Sequence, residues 1–185
     1  PETEILVQKV LEIFDKKKIR VLDLGTGSGA IGLSLAKERA NWEVVCSDLS
    51  YEALKVTSKN MTRNALDVSL VNSNWSSAFK NEYFDVIVSN PPYINPSDPR
   101  VYSDGLKFEP KQALISDSQG LYDIERIVKE TSEILNNAGY LFIEHGYDQS
   151  DLVVSIFERC GFSQIRTFKD LNGDDRVCLG KLNRC

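Results

Sequence analysis

Four consecutive residues, Asn90-Pro91-Pro92-Tyr93, directly follow an apolar run from Phe84 to Ser89 and carry the chemistry of a clamp for a planar nitrogen. An amide or aromatic amine nitrogen is a poor nucleophile because its lone pair is delocalised. Two acceptors on its two N–H groups would restrain it and favour the positive charge that builds as it reacts. Asn90 can offer a side-chain oxygen and Pro91 a backbone carbonyl. Proline has no N–H to compete, and each proline fixes its own φ and restricts its predecessor. Tyr93 can stack on a planar group or line the path of an incoming one. Alone, the motif equally describes a rigid proline turn after a strand, so its meaning depends on what lies beside it.

About 65 residues upstream, Asp23-Leu24-Gly25-Thr26-Gly27-Ser28-Gly29 ends one apolar run and opens a helical one. The glycines let the backbone turn sharply and lie close to a ligand. N–H groups at the start of the helix favour a carboxylate or phosphate there. Asp48 closes the next apolar run, where a carboxylate can accept both hydroxyls of a ribose. Three readings of the loop compete. A dinucleotide fold needs G-x-G-x-x-G/A, which Gly25, Gly27 and Ala30 meet loosely. A purely structural turn would not need three glycines in five residues. S-adenosylmethionine is the reading the charges favour, because Asp23 suits an amine-bearing cation and would repel a pyrophosphate. With the Asn90 motif added, the pattern points to methyl transfer onto a planar nitrogen, where positioning is the main task.

The elements that must hold these residues alternate between helical and strand-like periods. Residues 4–15 carry Val7, Val10, Leu11 and Phe14 at helical spacing, with Thr3 as N-cap. Strands are expected at 19–24, 43–47, 68–71, 84–89 and 140–144, and helices at 28–39, 50–65, 121–137 and 149–160. Asn137-Ala138-Gly139 should stop the third of those helices. The last two strands, near 162–168 and 176–182, flank Asn172-Gly173, a hairpin signal. Such alternation predicts an α/β fold: a seven-stranded, mostly parallel sheet with helices on both faces and one antiparallel strand from the terminal hairpin. Ligands of such sheets bind beyond the carboxyl ends of the strands, which brings the two motifs together. Five of the six prolines fall within residues 91–110, a long loop whose Tyr93, Tyr102 and Phe108 suit a substrate-facing role.

The 185 residues suggest one domain, and 42% hydrophobic with 26% charged residues is ordinary for a globular protein with a real core. The net charge of −5 weighs against a protein that grips nucleic-acid phosphates, which usually shows a basic face. No apolar run approaches the ~18 residues of a membrane span. Cys46, Cys160, Cys178 and Cys185 form no C-x-x-C pair, and His145 is the sole histidine, so no metal site is expected. Cys46 and Cys178 read as small buried hydrophobes in a reducing compartment, the cytoplasm or, in a eukaryote, an organellar matrix.

The two motifs resemble those of amino-methyltransferases, and the whole chain is similar to the catalytic domain of the HemK/PrmC family. These are the protein-(glutamine-N5) methyltransferases that modify peptide chain release factors. Pro1-Glu2-Thr3-Glu4, Val21 to Ile31, and Ser89 to Ile94 carry the resemblance. So do Phe108-Glu109-Pro110 with Ala113-Leu114, Glu144-His145-Gly146 with Gln149, and Gly173-Asp174-Asp175-Arg176. The resemblance implies a Rossmann-like class I methyltransferase fold. It implies that Gly25, Thr26, Gly27, Gly29 and Asp48 bind S-adenosylmethionine, with Asp23 near its methionine end and Asn90 adjoining it. Asn74-Trp75 occupies the place that usually meets adenine, where the family often has Asp-Trp. Asn90 and Pro91 would hold the substrate amide, with Pro92 stiffening the clamp and Tyr93 beside it. The implied substrate is the glutamine of a Gly-Gly-Gln motif in a release factor, and the product is S-adenosylhomocysteine. Residues 1–185 would be a monomeric catalytic domain without the family's small N-terminal helical docking domain. The rival is an N-methyltransferase of adenine in DNA or RNA, which shares the Asn-Pro-Pro-Tyr motif and would present a flipped base. His145 is expected to be structural. Arg176 is expected to pair with a nearby acid, and Glu109 to face either the pocket or solvent.

Overall fold

Parallel strands covered on both faces read as continuous apolar runs, and the cores of Val21-Leu22, Val44-Val45 and Val86-Ile87-Val88 are of that kind. In the computed structural model, which describes residues 2–14, 18–80, 83–98 and 114–184, these runs form the centre of one sheet. The elements in order are α1 (Glu2–Ile13), β1 (Arg20–Leu24), α2 (Ala30–Glu38), β2 (Glu43–Asp48), α3 (Tyr51–Arg63), β3 (Ser69–Asn72) and β4 (Phe84–Ser89). There follow α4 (Asp117–Gly120), α5 (Tyr122–Ile134), β5 (Leu135–Glu144), α6 (Ser150–Arg159), β6 (Phe162–Lys169) and β7 (Asp175–Leu182). The seven strands lie in the order β3-β2-β1-β4-β5-β7-β6, with β7 antiparallel to both its neighbours and the rest parallel. This is the expected α/β architecture.

Successive side chains on each strand leave by opposite faces. Val21, Val44, Val86, Phe142 and Val177 pack with Leu6 and Val10 of α1 and Ile31 and Leu35 of α2. Leu22, Ile87, Leu141, Ile143 and Cys178 pack with Ile124, Ile127 and Val128 of α5 and Val153, Ile156 and Phe157 of α6. Each fully buried Leu, Ile or Phe contributes about 1.5–3 kcal/mol. Both sandwich layers therefore hold the strand ends rigidly.

β1 and β4 are neighbours although two strand–helix units separate them in sequence. The strand order reverses between them, and a crevice opens at such a switch point above the carboxyl ends. Ser89 Oγ of β4 donates to Leu24 O of β1 over 2.8 Å, tying the two ends together. The glycine loop leaves one and the Asn-Pro-Pro-Tyr motif leaves the other.

Three local expectations are corrected. The helix expected to run through residue 137 ends at Ile134, and β5 begins at Leu135. Leu135 pairs with Phe84, the register slips, and pairing resumes at Tyr140–Val86. The Asn137-Ala138-Gly139 stop is thus a bulge within a strand, anchored where Asn136 Nδ2 donates to Asp85 Oδ1 over 2.9 Å. Ala138, not Gly139, takes the positive φ of 63°. Thr3 does not cap α1 but lies inside its first turn, its hydroxyl donating to Glu144 Oε2 over 3.0 Å. The single kinked turn α4 was unforeseen, since Ser118 and Gln119 both sit at positive φ. Tyr102, Phe108, Glu109, Pro110 and Ala113 lie outside the described residues. Among the described residues no helix is long and apolar enough to cross a membrane, and no cluster of three metal-ligating side chains forms.

Candidate active site

A cavity of about 1040 Å³ opens at the switch point. Its walls include Gly25, Thr26 and Gly27 from the first motif and Asn90, Pro91, Pro92 and Tyr93 from the second. The sequence kept these motifs apart by more than sixty positions, and the β1–β4 pairing brings them to one space.

The glycine loop is fixed from behind. Gly25 and Thr26 both donate their N–H groups to Ser47 O at 2.9 Å. Asp48 accepts from Gly27 N through Oδ2 at 2.9 Å and from Ser50 N through Oδ1 at 2.8 Å. Thr57 Oγ1 donates to Gly27 O, and Asn60 Nδ2 to Ser28 O, each at 2.9 Å. Asp48 therefore braces the loop and is half-buried. Two glycines are required by space as well as by φ. Gly29 (φ 85°) would push a Cβ to 2.7 Å from Thr57 Cγ2, and Gly25 (φ 71°) would set one 3.1 Å from the Trp75 indole. Trp75, at φ 47°, packs behind the loop, and Asn74 beside it is exposed.

Asp23 lies beneath the loop, fully buried. Its Oδ2 accepts from Thr26 Oγ1 and from Gly32 N. Its Oδ1 is buried with no partner among the described residues. Burial lifts its carboxyl from 3.8 to about 6, against the opposing pull of the Thr26 and Gly32 hydrogen bonds. Cys46 Sγ is the neighbour a Cβ at Gly32 would strike first, with Asp23 Oδ2 next at 3.0 Å. Burial, and then the Asp23 charge, push the Cys46 thiol to about 12, so it is an inert small hydrophobe. Cys178 is pushed to about 12 by burial alone.

The second motif is held by residues from three remote segments. Asn90 Nδ2 donates to Thr3 Oγ1 over 3.2 Å. Tyr93 OH donates to Glu144 Oε1 over 3.1 Å. Gln149 Nε2 donates to Tyr93 O and to Gln119 O, both at 3.0 Å, while its Oε1 accepts from Gly146 N at 2.8 Å. Ile94 then pairs with the return segment, its N–H donating to Leu114 O at 2.9 Å and its carbonyl accepting from Ser116 N at 3.0 Å.

Thr3, Glu144 and Gln149 are the residues whose part in the site sequence reasoning missed. Glu144 and Gln149 entered only as pieces of a resemblance, and Thr3 as a piece of that resemblance and as a cap. A charged residue closing the run Tyr140-Leu141-Phe142-Ile143, Glu144, was the one available signal. Glu144 is 2% exposed, and a buried carboxylate needs partners. Arg176 does pair with an acid, Asp170 Oδ2 at 2.9 Å, and its guanidinium lies over Tyr147 at the cavity wall. His145 is fully buried with Nδ1 2.8 Å from Gly146 O. A carbonyl only accepts, so Nδ1 carries the hydrogen. Desolvation holds this imidazole below its usual range, which keeps it neutral.

A sequence model of the methyltransferase small domain matches residues 2–103. The chain is 40% identical over 182 residues to the release factor glutamine methyltransferase of Salmonella typhimurium, covering 98% of this chain and 66% of that protein. It is 44% identical over 182 residues to the protein of the same name from Buchnera aphidicola, with the same two coverages. The chain thus spans just under two thirds of these curated relatives. Among solved structures, the T. thermophilus 16S rRNA N2 G1207 methyltransferase in complex with AdoMet and guanosine superposes with a TM-score of 0.71. That match is at 22% identity, over 99% of this chain and 43% of that one. The fold is therefore that of the class I S-adenosylmethionine methyltransferases, and with its first 103 residues matching the family's model the chain belongs to the methyltransferase small domain family, release factor glutamine methyltransferases being among its relatives.

Proposed function

We propose that the protein methylates the side-chain amide nitrogen of the glutamine in the Gly-Gly-Gln motif of peptide chain release factors, using S-adenosylmethionine. The observation that carries this reading is the shared cavity: the glycine loop and Asn90-Pro91-Pro92-Tyr93 line one space at the switch point. Identity of 40–44% along 98% of the chain to release factor glutamine methyltransferases supports the amide of glutamine over the amine of a base. The residues fit the donor. At Gly27, which lines the cavity, a Cβ would meet nothing within 4 Å, so there is open space beside the loop backbone. The partnerless Asp23 Oδ1 marks a buried negative group under the loop, suited to a cationic ligand. In this reading Gly25, Thr26, Gly27 and Gly29 cradle the donor, Asp48 meets its ribose, and Asn74 and Trp75 flank its adenine. When bound, S-adenosylmethionine supplies a methyl group made electrophilic by its sulfonium.

What the chain contributes is positioning. Asn90 Oδ1 and the Pro91 carbonyl accept the two N–H groups of the amide and so restrain the nitrogen. Pro92 stiffens the turn, and Tyr93 closes one side of the planar group. No side chain need act as general base, because the proton leaves to water once the nitrogen is alkylated. The test is incubation with isotopically labelled donor and either release factor or DNA, followed by mass spectrometry of the Gly-Gly-Gln peptide. Label should appear on that glutamine, and Asn90→Ala should abolish it while donor binding, read by calorimetry, persists. Label on DNA and none on protein would overturn the reading.

A further inference from the structure

Asn90 can face the cavity in two ways, with its oxygen or with its NH2 group inward, and only the first suits an amide donor. The choice is made outside the motif. Thr3 Oγ1 lies between Asn90 Nδ2 (3.2 Å) and Glu144 Oε2 (3.0 Å), joining α1, the end of β4 and the end of β5. A carboxylate only accepts, and a threonine hydroxyl has a single hydrogen to give. That hydrogen goes to Glu144, leaving only lone pairs of Thr3 Oγ1 for Asn90. Asn90 must then turn its NH2 toward Thr3, because its oxygen there would meet another oxygen with no hydrogen between them. Among the described residues Asn90 Oδ1 has no hydrogen-bond partner, and Asn90 lines the cavity. The same buried carboxylate takes the Tyr93 hydroxyl on its other oxygen at 3.1 Å, so one group orients both ends of the clamp.

We infer that Glu144 and Thr3 are positioning residues that set the hydrogen-bond polarity of the clamp and thereby its preference for a glutamine amide over a glutamate carboxylate. This rests on the proposed function, since it takes a glutamine amide as what enters the clamp. A glutamate in the same place offers acceptors against the Asn90 and Pro91 oxygens and is refused. If Glu144 becomes glutamine, its NH2 can donate to Thr3. The threonine hydrogen is then free for Asn90 Oδ1, and the Asn90 NH2 turns inward to welcome a carboxylate.

The experiment uses the full-length protein with Thr3→Val, Thr3→Ser and Glu144→Gln. It reads kcat and KM on a Gly-Gly-Gln peptide and inhibition by the matching Gly-Gly-Glu peptide. Thr3→Val and Glu144→Gln should each shrink the glutamine-over-glutamate preference by roughly ten- to a hundredfold, the size expected when one buried partner is lost. Thr3→Ser, which keeps the hydroxyl, should restore it. Should Glu144→Gln fail to fold, Thr3→Val and its serine rescue carry the test. A lowered rate with an unchanged preference means a merely structural role and overturns the inference, as does a serine variant that behaves like valine. Wild-type protein that leaves the Gly-Gly-Gln peptide unmethylated overturns the proposed activity and this inference with it. Methylation by the wild type with wild-type preference in the variants overturns the inference alone.

Discussion

Replacing Asp23 by Asn should make the protein more stable at neutral pH, with the gain vanishing in acid. Asp23 is fully buried with one oxygen partnerless, and burial lifts its carboxyl to about 6. An unfolded aspartate titrates near 3.8, so the fold holds this proton roughly a hundredfold more tightly, which is about 3 kcal/mol. The sign follows from proton linkage. A carboxyl raised in the fold binds more protons folded than unfolded between about pH 4 and 6. Its contribution is most favourable below about pH 4 and is lost as pH rises through about 6. Asparagine keeps an oxygen to accept from Thr26 and Gly32 and cannot ionise. The excess stability of Asp23→Asn over wild type should therefore grow by roughly 1–3 kcal/mol from pH 4 to pH 7 and then level off. Urea unfolding at half-unit pH steps and constant ionic strength measures it. Titrations common to both proteins, including His145, cancel in the difference. A difference that is flat from pH 4 to 7, or that grows toward acid, would refute the reasoning. A carboxylate this costly is of the kind kept for a site, and donor affinity of the variant should fall even as its stability rises.

Gly120→Ala should lower stability by about 1–3 kcal/mol, because φ is +82° there and the new Cβ runs into the Tyr93 carbonyl and comes within 2.7 Å of Gln149 Nε2. Calorimetric melting should show a fall of several degrees, and methyl transfer should drop more than donor binding, since the damage lands on the clamp and leaves the glycine loop intact. Asp170→Ala removes a carboxylate that accepts from Asn172 N, Asp174 N and Arg176 Nε at 2.8, 3.0 and 2.9 Å. The hairpin between β6 and β7 should loosen at a cost of about 2 kcal/mol. Under the proposed function, KM for the release-factor substrate should rise as Arg176 leaves its place at the cavity wall.

What could be read from the sequence is what local chemistry decides. Gly25, Gly27 and Gly29 announce backbone at positive φ, and all three adopt it. The strand–loop–helix around them and Asp48 at the end of β2 follow from short-range pattern, as does the Asn172-Gly173 hairpin, with Gly173 at φ 89°. What could not be read depends on partners far along the chain. The helical period of α5 continues smoothly into Leu135, and only the pairing of Leu135 with Phe84 and the Asn136–Asp85 hydrogen bond turn that stretch into strand. Thr3 carries every local mark of an N-cap, yet its partner is 141 positions away. Trp75 gives no sequence hint that its indole backs Gly25. Asp23 reads from the sequence as an acid suited to an amine-bearing ligand, but its full burial under the loop, with one oxygen spent on Thr26 and Gly32 and the other without a partner among the described residues, depends on how α2 and β2 pack around it.

The Asn-Pro-Pro-Tyr motif is in this sense incomplete as written. Its prolines fix the backbone, but nothing in the four residues decides which end of the Asn90 amide faces the cavity. That decision belongs to a hydroxyl on α1 and a carboxylate at the end of β5, 87 and 54 positions distant from Asn90. The same carboxylate orders Tyr93. A scaffold bearing the motif after a parallel strand, but with a non-hydroxylic residue in place of Thr3, would bind a planar nitrogen and a planar oxygen group with little distinction. Specificity for an amide is then a property of how α1 docks on the sheet, and changes that tilt α1 without touching the cavity should relax it.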